Sequence, residues 1–182
     1  MRENRPAMNQ RVYIDESKAR NYLMAAAVIV PTDARELRKA VRGLLLARQS
    51  GLHMKTERDS RRRKILSTFV DCGVTATIYD AGGSDRPQLT RRAACLDAIV
   101  VDAQSGGHGH LILDRDDTLI HADRISIIAA TQRIGYHELT YEHQKSKHDL
   151  LLAIPDAVAW AWAKGGDWRR RAELIVVEVK NV

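Results

Sequence analysis

The apolar positions change period several times along the chain, and the changes mark out elements. Gln10–Asp15 and Tyr22–Val30 read as two strands around a polar turn, Glu16–Asn21, which predicts an antiparallel hairpin. Pro31-Thr32-Asp33 then opens a helix with its acids, Asp33 and Glu36, at the favourable end. Leu37, Val41, Leu44 and Leu45 form its buried stripe, and Gly51 closes it. A second helix covers Arg58–Cys72, with Ile65, Leu66, Phe69 and Val70 inward and Arg61–Lys64 outward. Strands follow at Val74–Tyr79, His110–Asp114, Glu138–Tyr141 and Leu174–Val179, and helices at Leu89–Ala103, Asp117–Gly135 and Leu150–Lys164. An antiparallel opening followed by strand–helix crossovers predicts a mixed sheet flanked by helices.

At 182 residues with no repeat, linker or low-complexity tract, the chain is read as one α/β domain over 1–182, with 1–9 a flexible N-terminal stretch. Cys72 and Cys95 are far apart and fit neither a CxxC pair nor a disulfide framework, which suits a reducing, cytoplasmic setting. Met1–Gln10 is polar and lacks the apolar segment of a signal peptide. Tyr22–Val30 is too short for a membrane span and Leu150–Ala163 contains Pro155 and Asp156, so no membrane association is expected. The net charge of +6 is uneven: from Arg35 to Lys64 there are eleven Lys or Arg against three acids. Two helices with solvated basic faces would account for this, and so would a polyanion partner held by Arg35, Arg38, Lys39, Arg42, Arg58, Arg61, Arg62, Arg63 and Lys64.

The chemistry lies in the carboxylates. Asp15 ends Val12-Tyr13-Ile14, and Asp114 ends His110–Leu113 in the same way. If these strands are parallel neighbours, about 4.8 Å apart, both acids emerge at one sheet edge, where ligands of open α/β sheets bind. Asp156 sits in an otherwise apolar stretch, Leu150–Val158, where an uncompensated acid is costly. It needs a metal, a cation, a helix end or an exit to solvent. Three acids on adjacent elements suit Mg²⁺ or Mn²⁺, hard ions that take oxygen ligands and serve phosphodiester hydrolysis. Each acid also has a plainer role as a strand end or helix cap. Glu16 faces away from Asp15 in regular strand geometry and joins the site only if the chain turns there, and Ser17 can orient either acid.

Among other side chains, His53 is a candidate ligand or proton carrier. His108-Gly109-His110 lacks neighbouring acids, and His137, His143 and His148 lack a shared helix face. His148 and Asp149 are placed to approach Asp156 from one helix face. Trp160, Trp162 and Trp168 suit core packing or a homodimer surface better than base stacking. The loop Ala81–Asp85 lacks the ending of a phosphate-binding loop, and no GxSxG elbow is present.

These residues together resemble the bacterial and phage domain-of-unknown-function 3800 family, grouped with ribonuclease-H-like folds. The resemblance rests on Ile14-Asp15-Glu16-Ser17, Leu52-His53, the strand ending in Asp114, and Ser146 before Leu150–Leu152 and Asp156, spanning roughly residues 10–165. It implies a ribonuclease-H-like mixed sheet and a metal-dependent nuclease site. Three positions depart from it: Gly51 stands where the family has Glu, Ala153 where it has a polar residue, and Pro155 where it has Ala. Glu57 is then a substitute ligand. The expectation is a nuclease with Asp15, Asp114 and Asp156 as primary ligands and Glu16, His53 and Glu57 as auxiliaries. The alternative is an inactive nucleic-acid-binding or regulatory module of a phage, mobile-element or defence system.

Overall fold

The computed structural model describes residues 10–182, and the N-terminal stretch 1–9 lies outside the described residues. Strands β1 (Arg11–Lys18) and β2 (Tyr22–Ile29) form the expected hairpin and lead into α1 (Pro31–Leu44). A 3₁₀ turn (Met54–Thr56) precedes α2 (Asp59–Asp71), β3 (Ala76–Asp80), α3 (Gln88–Gly106) and β4 (His110–Asp114). Then come α4 (Ile120–Ile134), β5 (Thr140–Gln144), a 3₁₀ turn (Leu150–Leu152), α5 (Ala153–Lys164), α6 (Gly166–Ala172) and β6 (Val176–Asn181). The single mixed sheet has the order β5-β4-β1-β2-β3-β6. β2 is antiparallel to both its neighbours, whereas the β1–β4, β4–β5 and β3–β6 pairs are parallel.

Strand alternation divides the core in two. Tyr13, Ala25, Ala27, Ile78 and Ile112 face α1, α2, α5 and α6, while Val12, Ile14, Met24, Ala26, Leu111 and Leu113 face α3 and α4. Covered on both faces, β2 shows an unbroken apolar run from Tyr22 to Ala27 rather than alternation. Its small residues let α5 lie close, through Ala157, Ala159 and Ala161. Edge strand β6 leaves Val177 and Val179 exposed but carries Glu178 and Lys180, charges that disfavour further strand pairing.

Four local expectations are corrected. β1 continues through Lys18, opposite Tyr22, so the turn is Ala19–Asn21. Glu16 and Lys18 lie on one side of the strand and pair at 3.0 Å, which lets polar residues continue the ladder. α1 ends at Leu44 rather than at Gly51, because Arg61 takes the Leu44 carbonyl at 2.7 Å and the Gln49 side chain accepts the Leu46 amide. Leu150–Leu152 forms a separate 3₁₀ turn before α5, with the Asp149 carboxylate accepting the Leu151 amide. Helix α6 had no apolar stripe to announce it; Gly165 (φ 76°) and Gly166 (φ 55°), left-handed conformations that side chains disfavour, turn the chain into it. Among the described residues no helix is long and apolar enough to cross a membrane.

Candidate active site

β1 and β4 are parallel, with Ile14 opposite Leu113, so Asp15 and Asp114 leave adjacent strands at the same edge. Their strand neighbours Tyr13 and Ile112 belong to the face that α5 covers, and Asp156 enters from the beginning of α5. Pro155 is the third residue of α5, within the first turn, where its missing amide is tolerated. Asp15, Asp114 and Asp156 line one cavity of about 710 Å³, together with Ser17, His53 and Trp160.

The three acids are electrostatically unsatisfied. Burial, then the charges of Asp156 and Asp114, push the Asp15 carboxyl well above the usual range, although its Oδ1 accepts the Glu16 amide at 2.7 Å. Burial pushes Asp156 up to about 6, opposed by the Met54 amide, which donates to its Oδ2 at 2.7 Å, and by His53. Asp114 is also raised, by burial, with His53 opposing. Other shielded acids have cations: Glu57 meets Arg61, Asp123 and Glu16 meet Arg92, and Asp149 meets Arg38. Among the described residues, no Lys or Arg forms an ion pair with Asp15, Asp114 or Asp156.

The remaining candidates separate. His53 is exposed at the cavity, its Nε2 2.8 Å from the hydroxyl of buried Ser146. Glu16 lines the cavity, but its carboxylate meets Arg92 at 2.7 Å and Lys18 at 3.0 Å. Glu57 is not among the residues lining this cavity: its buried carboxylate holds Arg61 and Gln49, so it braces the segment after α1. Asp149 is likewise turned elsewhere, accepting from Tyr13 at 3.2 Å and pairing with Arg38 at 3.5 Å, and His148 does not line the cavity.

The basic segment is only partly outward. Arg35, Lys39, Arg42, Arg58, Arg63 and Lys64 are exposed, whereas Arg38, Arg61 and Arg62 are half-buried and engaged within the chain. The Arg61–Lys64 run therefore does not point outward as a unit. Arg62 lies 4.4 Å above Trp160 and Arg169 4.2 Å above Trp162, so arginines of the same chain cover the tryptophans. Trp160 also packs edge-on to Trp168, with ring centroids 5.3 Å apart.

A second polar centre lies on the α3–α4 side. Arg92, 2% exposed, grips both oxygens of fully buried Asp123, reaches Glu16 at 2.7 Å and takes the Tyr22 hydroxyl at 3.0 Å. His143 completes it, with Nε2 2.8 Å from Asp123. Sequence reasoning missed Arg92 and Asp123; the available signal was a charged residue on the inward stripe of each of two amphipathic helices.

Scans against family models and curated proteins find no match to the chain. Among the described residues, no group of three His, Cys, Asp or Glu is arranged to hold a metal ion as it stands. The chemistry of the donors nevertheless suits one: Lys18 and Lys55 also line the cavity, but neither pairs with the three carboxylates, whose hard oxygens are of the kind that Mg²⁺ or Mn²⁺ takes.

Proposed function

We propose that this chain is a Mg²⁺- or Mn²⁺-dependent phosphodiester hydrolase acting on nucleic acid. The observation that carries the reading is the meeting of Asp15, Asp114 and Asp156, from β1, β4 and α5, in one cavity where no Lys or Arg of the described residues pairs with them. These three would hold the metal, whose chemistry when bound is to make water nucleophilic at neutral pH and neutralise the leaving oxygen. The Glu16 amide orients Asp15 through Oδ1, and the Met54 amide orients Asp156 through Oδ2. His53, tied to Ser146 through Nε2, has Nδ1 left to give or take a proton at the substrate. Exposed cations of α1 and α2, among them Arg35, Lys39, Arg42, Arg63 and Lys64, supply sequence-independent attraction for the phosphate backbone.

The test is to incubate labelled RNA, single-stranded DNA and duplex DNA with the wild-type chain and Asp15→Asn, with Mn²⁺ or with EDTA. Cleavage by the wild type alone, abolished by EDTA, with nucleic-acid binding retained by Asp15→Asn, is the expected result. Undiminished cleavage by Asp15→Asn would refute the assignment. A second reading, a nucleic-acid-binding module without catalysis, draws on the absence of a ready-made metal-holding group among the described residues. It predicts binding in EDTA, no Mn²⁺ uptake by calorimetry, and no cleavage of any substrate.

A further inference from the structure

Beside the carboxylates lies a second cavity, of about 540 Å³, which shares Asp114, His53 and Thr56 with the first and has the opposite electrostatic character. Its other lining residues include Arg48, Arg115, Lys145 and Lys147, and Asp114 is its one lining acid. Arg115 is paired with Asp117 at 2.6 Å, outside the cavity lining. Among the described residues, Arg48, Lys145 and Lys147 form no ion pair. Lys and Arg without an ion pair occur elsewhere on the surface too, but here four cations line one concave recess against a single acid, a concentration of positive charge that suits an anion.

Its walls are braced. Gln49, beside Arg48, is held by Glu57 and Arg61, and Arg48 itself is fixed in the left-handed region at φ 67°, an uncommon conformation for a side-chain-bearing residue. The opposite wall is tied across by the Ser146 hydroxyl to His53 at 2.8 Å. Gly51 lets the walls close, because a Cβ there would come within 3.2 Å of that hydroxyl and 3.4 Å of the Ser146 backbone. A pre-shaped basic recess opening onto an acidic one suits a chain of phosphates, one of them at the carboxylates and the next in the recess.

We propose that this recess, with Lys145, Lys147 and Arg48 as its charges, is a phosphate-binding subsite that seats the backbone phosphate next to the one cleaved. The anion site stands on geometry alone; its assignment to a strand being cut rests on the hydrolase reading above. The experiment measures binding of a labelled ten-nucleotide single strand by the full chain in EDTA, by anisotropy over a salt series. Lys145→Ala/Lys147→Ala is compared with Arg124→Ala/Lys164→Ala, which removes the same charge from α4 and the end of α5. All four positions are exposed, so both variants should fold, and unchanged thermal midpoints check this.

The expected result is at least a tenfold loss of affinity for the 145/147 pair, with a salt slope shallower by about 0.7 for each phosphate that is no longer neutralised. The Arg124/Lys164 pair should lose less than threefold, and Lys145→Arg/Lys147→Arg should restore binding. Equal losses in the two alanine pairs, or no loss in either, would overturn the subsite. Binding that depends on Lys145 and Lys147 in a chain that cleaves nothing with Mn²⁺ would support the subsite while removing the hydrolase reading.

Discussion

Arg92 occupies a position where a single side chain satisfies three others. Its guanidinium neutralises Asp123 and Glu16 from opposite ends and accounts for the Tyr22 hydroxyl, all under two helices. Removing one partner of a buried pair strands the other charge, which costs about 3–5 kcal/mol. Arg92→Met should therefore lower the thermal midpoint by roughly 6–20 °C, at about 2–4 °C per kcal/mol for a chain of this size. Differential scanning fluorimetry decides it, and a fall of under about 3 °C would mean that Asp123 and Glu16 find other partners. Glu16→Gln keeps a hydrogen-bonding oxygen and its backbone amide still reaches Asp15, so it should cost far less, on the order of 1 kcal/mol. Glu16 is thus a support that faces away from Asp15 along the strand, while Asp15 faces α5.

At the scale of elements, the sequence was legible where one periodicity dominated. β4 has the bounds its alternation predicted, and the parallel placement beside β1 that brings Asp15 and Asp114 to one edge was a conditional expectation that the register satisfies. What the pattern could not show was long-range partnership. Glu57 looked like a spare ligand four residues after His53, but its environment is set by Arg61 on α2 and Gln49 after α1, neither of which local spacing reveals. Asp156 looked like a cap for its own helix, yet it takes the first amide of the Met54–Thr56 turn, far away in sequence. These bonds yield a prediction about the Leu45–His53 segment. Glu57→Gln removes the charge that holds Arg61, and with it the brace on Gln49. Amide hydrogen exchange over Leu45–His53 should accelerate, while exchange in β1, β2 and β4 stays slow. Uniform acceleration over the whole sheet would show that Glu57 supports global stability instead. The sign of its titration agrees: burial alone would raise the carboxyl, but bonds from Arg61 and Gln49 outweigh it and hold it below its ordinary value, so its stabilisation is lost in acid.

Across the whole molecule, the two kinds of acid set opposite limits on stability. Glu57 and Asp123, lowered against burial by their bonds to Arg61 and Arg92, contribute stability above their unfolded pKa values that disappears as pH falls through their folded ones. Asp156, raised to about 6, and Asp15, raised with it, hold their protons more tightly when folded. The Asp156 contribution is therefore present in acid and lost as the pH rises through about 6, and the contribution of Asp15 has the same sign. In EDTA the chain should be most stable at mildly acidic pH and weaken towards neutrality, and Asp156→Asn should flatten that decline, since Asn keeps an oxygen for the Met54 amide without the buried charge. A divalent ion bound to these carboxylates reverses the pattern. Mn²⁺ at about 100 times its dissociation constant adds about 2.7 kcal/mol, worth roughly 5–11 °C at pH 7.5. At about pH 4.5 the same Mn²⁺ concentration should add little, because the raised carboxyls then keep their protons and metal binding requires their loss. Thermal midpoints of the wild type and Asp156→Asn, with and without Mn²⁺ at both pH values, separate the cases. A Mn²⁺ shift of equal size at both pH values, or one undiminished in Asp156→Asn, would place the ion on other groups and detach the acidic cavity from metal chemistry.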